Sequence, residues 1–223
     1  MASRAQRTER RTDALSKERI VRAAIEILDT EGETALTFRA LAARLATGSG
    51  AIYWHVANKT ELLVAATEGV IAPVMTGVRA ETVPREAVRT IALGVFDAID
   101  AHPWVGTQLA REPWQAAILQ IFEGFGGQLH ALGVPERAHF DSASALVSYI
   151  VGLAAQYAAG ARLLAPNTDR PTFLAATAVR WTDHDPAEFP FLHQVAGQLR
   201  EHDDRQQFLA GIDLILAGIE TVR

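Results

Sequence analysis

Between positions 53 and 59 the sequence places a phenol, an indole, an imidazole and an ammonium group close together, as Tyr53, Trp54, His55 and Lys59. These groups suit phosphate oxygens, sugars and thymine methyls on a duplex. Just ahead of them stand Ser49, Gly50 and Ala51, small enough for a backbone to approach a base edge with a hydroxyl or methyl contact. Small side chains also leave part of any sequence preference to duplex shape. Further upstream, Thr37 and Arg39 add a hydroxyl and a guanidinium suited to backbone phosphates.

Other residues have the types of metal and acid–base chemistry. Asp183-His184-Asp185 with His193, and Glu201-His202-Asp203-Asp204, could in principle ligate a cation. Yet no HExxH, glycine-rich phosphate loop or GxSxG nucleophile elbow accompanies them, and Asp183 to Pro186 reads as a helix end and cap. With no cysteine there is no disulfide, thiolate nucleophile or cysteine-ligated metal. The expectation is a protein that is not an enzyme, with no metal and no cofactor.

The 223 residues, 49% hydrophobic and 21% charged, suffice for a sizeable core in one large or two small domains. A net charge of −5 hides an asymmetry. Residues 1–63 carry ten Lys/Arg against eight Asp/Glu, and residues 64–223 eleven against eighteen; within 1–22 the count is seven against three. A basic front and an acidic back suit a polyanion held at one end. Met1 to Asp13 is polar and arginine-rich with no apolar run behind it, and no stretch of about eighteen apolar residues occurs, so a cytoplasmic protein with no membrane segment is expected.

Helical periodicity organises the chain, and period-two alternation is never sustained. Ser16 can cap a helix over 16–31 whose apolar stripe is Ile20, Ala23, Ala24, Ile27 and Leu28, ending at Gly32. Thr37 can cap a second, with Phe38, Leu41, Ala42 and Leu45 on one face. After Ala46-Thr47-Gly48, Ser49 reads as the cap of a third through Val56, and Asn58 caps a fourth toward Met75. Two short helices on a tight turn, each with one apolar stripe, spell a helix-turn-helix whose outer face is 49–55. Prolines then suggest helices near 84–101, 135–164 and 186–200, a short one after Pro103 and a longer one starting at Pro113. A loop is expected over 165–171, then helices over 172–182 and 205–222.

The run Leu36-Thr37-Phe38-Arg39-Ala40-Leu41-Ala42, followed by Ala51-Ile52-Tyr53-Trp54-His55-Val56-Ala57-Asn58-Lys59-Thr60-Glu61-Leu62-Leu63, resembles the DNA-binding domain of TetR-family transcriptional regulators. The resemblance implies an all-α protein with three regions: a flexible basic arm (1–15), a helix-turn-helix domain (16–63) and a helical effector-binding and dimerisation domain (64–223). It implies that Thr37 and Arg39 face phosphates, that Ser49, Gly50 and Ala51 read bases, that Tyr53, Trp54 and His55 touch phosphate, sugar and a thymine methyl, and that Lys59 clamps a phosphate. Arg7, Arg10 or Arg11 of the arm could reach a minor groove. One position departs from the family pattern: Ala46-Thr47 stands where Gly-hydrophobic is common.

The family further implies a homodimer on a palindromic double-stranded DNA operator and a small-molecule effector that releases it. Helices near 135–164, rich in small residues, and 205–222, apolar nearly all round, are the expected dimer surfaces. His102, Trp104, Gln108, Trp114, Phe122, Tyr149 and Gln156 are the candidate ligand-binding residues. The rival readings are an effector-independent or architectural DNA-binding protein, and a metal-dependent enzyme.

Overall fold

The computed structural model describes residues 15–78, 83–163 and 169–222. The basic arm, apart from Leu15, and most of the loop expected over 165–171 lie outside the described residues. Among those described, the ordered elements are eleven helices.

The head is built from α1 (Lys17–Glu31), α2 (Phe38–Arg44), α3 (Ser49–Tyr53) and the start of α4 (Lys59–Thr76). Ser16, Thr37 and Asn58 each accept a backbone N–H three residues on, so α1, α2 and α4 begin at side-chain caps. α3 begins differently, with Gly48 as the cap, and it ends at Tyr53 rather than reaching Val56. Its short length is imposed by a turn in which Ile52 O accepts from both His55 N and Val56 N. Ile20, Leu36, Leu41, Ile52, Val56 and Leu62 close the head's core, each no more than 1% exposed.

Behind the head come α5 (Pro84–Ala101), α6 (Pro103–Arg111), α7 (Ala116–Ala131), α8 (Glu136–Leu163), α9 (Arg170–Thr182), α10 (Pro190–Arg200) and α11 (Asp204–Thr221). α4 passes residues 63 and 64 without a break, and one continuous core runs from Ile20 and Leu41 to Phe125, Leu146 and Phe208. Gly94 allows α5 to close on α4, because a methyl there would lie 2.4 Å from Val74 Cγ1. Arg85 and Arg89 of α5 pair with Glu220 and Asp213 of α11, and Arg205 with Asp97. α9 and α10 pack on each other, burying Leu174, Ala178 and Ala196 outside the main core.

Two helix starts fall later than the prolines suggested. Residues after Pro113 form a turn in which Gln115 N donates to Glu112 O, so α7 waits until Ala116. After Pro186, Asp185 Oδ1 accepts from Ala187 N at 2.8 Å and Asp185 O accepts from Glu188 and Phe189, so α10 waits until Pro190.

Candidate nucleic-acid interface

The turn joining α2 to α3 has the double hydrogen bond of a helix-ending loop. Thr47 N donates to Ala42 O at 2.9 Å and Ala46 N to Ala43 O at 3.3 Å. The residue in left-handed conformation is Ala46, at φ 50°, while Gly48 sits at φ −85°. The turn thus closes with an L-residue in the left-handed conformation that glycine favours, and Gly48 does not take that role. Ala46→Gly is expected to raise stability by about 1 kcal/mol, seen as a Tm about 2–4 °C higher in a thermal melt.

That turn fixes the face of α3. Ile52 points inward and is fully buried, and Val56 follows it. On the other side Trp54 is 90% exposed and Tyr53 54%. Tyr53 is held in place by stacking on Phe38, with ring centroids 4.3 Å apart and planes within 7°. His55, Ser49 and Ala51 are half-buried and Gly50 is exposed, with open space where a side chain would project. Thr37 and Arg39 are exposed at the start of α2, where the Thr37 hydroxyl accepts from Ala40 N at 3.1 Å. Lys59 opens α4, and its ammonium donates to the carbonyl of Glu33 at 2.6 Å. The 49–55 face and two helix N-termini, those of α2 and α4, are therefore assembled on one small head.

The seven candidate ligand residues separate into different places. His102, Trp104 and Gln108 lie at the joint between α6 and α1. Asp29 Oδ1 accepts from Trp104 Nε1 at 2.7 Å and contacts His102 Nδ1 at 2.8 Å. Glu33 accepts from Gln108 Nε2 at 3.2 Å and from Arg111 at 3.0 Å. Their polar atoms thus hold the head to the remainder of the chain. Trp114 stands on the turn ahead of α7 and is 85% exposed. Phe122 meets Phe140 at 5.9 Å. Tyr149 stacks on Phe208, its hydroxyl donating to Phe208 O at 3.3 Å, and burial raises its pKa above the ordinary tyrosine value. Gln156 is exposed. Asp29, Glu33 and Arg111 were not singled out in the sequence, since a charge at the end of an amphipathic helix carries no sign of its distant partner.

The acidic and histidine-rich segments are engaged elsewhere. His193 Nε2 lies 2.8 Å from His184 O, and His202 Nε2 lies 3.0 Å from Asp204 Oδ1. Among the described residues no three His, Asp or Glu side chains converge as metal ligands.

Comparison with known proteins supplies the family. Residues 20–66 match the model of bacterial regulatory proteins of the tetR family, and residues 82–223 match the tetracyclin repressor-like C-terminal domain. This chain belongs to the TetR family. It is a DNA-binding transcriptional regulator with the all-α, two-part architecture of that family. The regulator is 51% identical in sequence to SCO7222, a TetR from Streptomyces coelicolor, with a TM-score of 0.85 over 94% of this chain and 99% of that one. It is 29% identical to the class G tetracycline repressor of Vibrio anguillarum, over 94% of this chain and 95% of the relative. ActR of Streptomyces coelicolor, solved with (S)-DNPA, shares the fold at a TM-score of 0.76 and 23% identity, covering 94% and 98% of the two chains. No helix among the described residues is long and apolar enough to cross a membrane.

Proposed function

We propose that this regulator is a cytoplasmic repressor that binds a palindromic operator as a homodimer and is released by a small hydrophobic or amphipathic effector. The observation that carries the reading is the outward face of 49–55 over a sealed core, with Trp54 90% exposed and Ile52 at 0% beneath it. Ser49, Gly50 and Ala51 read base edges. Tyr53, Trp54 and His55 meet the duplex backbone and a thymine methyl, and Thr37, Arg39 and Lys59 hold phosphates. One such module makes few base contacts, so pairing two on an inverted repeat supplies affinity that one lacks.

α8 and α11 are the pairing helices. Phe140 on the first and Leu214 on the second are exposed large apolar residues that a second copy would cover. The head occupies 16–63, and 64–223 takes the effector and the partner. Support for the effector comes from the ligand-bound state of ActR, and for repression from the tetracycline repressors among the relatives.

Selection of bound sequences from a random duplex pool tests this. The expected result is an inverted repeat with half-site centres about 34 Å apart, or a multiple of that. Recovery of a single unrepeated site would contradict the paired reading. Replacing Ser49 should shift which repeat is recovered, because that hydroxyl faces a base.

A further inference from the structure

Glu33 is tied at both ends to different parts of the molecule. Its carbonyl accepts from Leu36 N at 3.3 Å and from Lys59 Nζ at 2.6 Å. Its carboxylate accepts from Arg111 Nη1 at 3.0 Å and Gln108 Nε2 at 3.2 Å, both on α6. The connection continues inward. Gln108 is 3% exposed, and its own carbonyl accepts from Gln115 Nε2 at 2.9 Å, at the cap of α7. Gln115 is itself 7% exposed.

We infer that Glu33 is a positioning residue through which α6 and the start of α7 set the phosphate grip of Lys59. The inference rests on the proposed phosphate contact of Lys59. Its physical basis is that the carbonyl and the carboxylate belong to one residue in a tight turn. Gly32 at φ 80° and the bonds from Ala35 N to Gly32 O and from Leu36 N to Glu33 O fix that turn. The carbonyl and the anchored side chain hang on the same short turn, so a displacement of one loads the other. A lysine ammonium has three donors, so one bound to Glu33 leaves two for a phosphate and removes much of the freedom of a flexible four-carbon stem. A shift of α6 along α1 drags the Glu33 carbonyl and leaves the ammonium less well placed, which costs affinity through lost preorganisation. The polar chain from Gln115 through Gln108 and Glu33 to Lys59 therefore connects the acidic body of the molecule to its DNA-facing edge.

The test uses the full chain and a mixed-sequence duplex, with affinity measured across a salt series. Arg111→Ala and Gln108→Met are each made with Lys59 intact and in a Lys59→Ala background. Arg111 is half-exposed, and methionine keeps the volume at 108, so thermal melts are expected to show folded protein. Lys59→Ala should lower the salt slope by about one phosphate per protomer. With Lys59 present, each α6 variant should weaken binding about three- to ten-fold, with little effect once Lys59 is gone. Arg111→Lys, which keeps a donor for Glu33, should recover part of the loss. Equal weakening in both backgrounds, or none in either, overturns the positioning role while leaving the phosphate contact in place. An unchanged slope for Lys59→Ala overturns the phosphate contact, and the inference falls with it.

Discussion

Ile52→Ala is expected to destabilise the head by about 2–5 kcal/mol and to weaken binding to any duplex at least about ten-fold. Ile52 is the buried residue of α3, fully enclosed against a core that includes Ile20, Leu41 and Val56. A five-residue helix has no independent stability, so α3 depends on this anchor, on the turn before it and on the stacking of Tyr53 on Phe38. With the anchor gone, Ser49 to His55 lose their common orientation even though none of them is changed. Ile52→Val, which removes one methylene, should cost about 0.5–1.5 kcal/mol and leave affinity nearly intact. Melting curves and duplex titrations of the two variants separate an anchor from a surface residue. Equal DNA affinity for the alanine variant and the parent would show that α3 does not depend on Ile52.

Asp29→Ala should have the second large effect, because it removes one acceptor shared by two side chains. Trp104 is 9% exposed, so its indole N–H would be left with little access to water. Hydrogen bonds to an ionised group contribute about 1.5–3 kcal/mol, and a loss of that order is expected in equilibrium unfolding. The loss is local to the joint between α1 and α6. Amide exchange should therefore accelerate in α1 to α3 well before α8, and duplex affinity should fall with it. Asp29→Asn keeps an acceptor oxygen and should restore most of the stability. Identical exchange across both regions would mean that Asp29 does not hold the head in place.

The helical architecture and the helices of the head were legible because both are written in short-range patterns. Ile20, Ala24, Ile27 and Leu28 recur at helical spacing, and Ser16, Thr37 and Asn58 announce their helices within three residues. Phe38 and Tyr53 flank a tight turn, so their stacking follows once two short helices are folded back on each other. The starts of α7 and α10 were less legible, since Pro113 and Pro186 fit a turn as well as a first helical turn, and backbone bonds at Glu112 and Asp185 decide between them. The joint was invisible. Asp29 and His102 are 73 positions apart, and nothing in either local pattern records the other. His102 and Gln108 accordingly read as polar groups for a ligand and Trp104 as pocket wall, whereas their partners are the carboxylates of Asp29 at the end of α1 and of Glu33 in the turn after it. Ala46 illustrates a subtler case: the sequence exposed the missing glycine, but only coordinates reveal that alanine takes up the left-handed conformation itself.

The central claim, that the 49–55 face is what meets duplex DNA, is tested most directly by oxidative side-chain footprinting with and without saturating duplex. Trp54 and Tyr53 on the head and Phe191 on α10 are all well exposed in the free protein, so each reports on what covers it. Duplex should protect Trp54 and Tyr53 and leave Phe191 as reactive as before. Undiminished oxidation of Trp54 in the bound state, or protection confined to α10, would contradict the account.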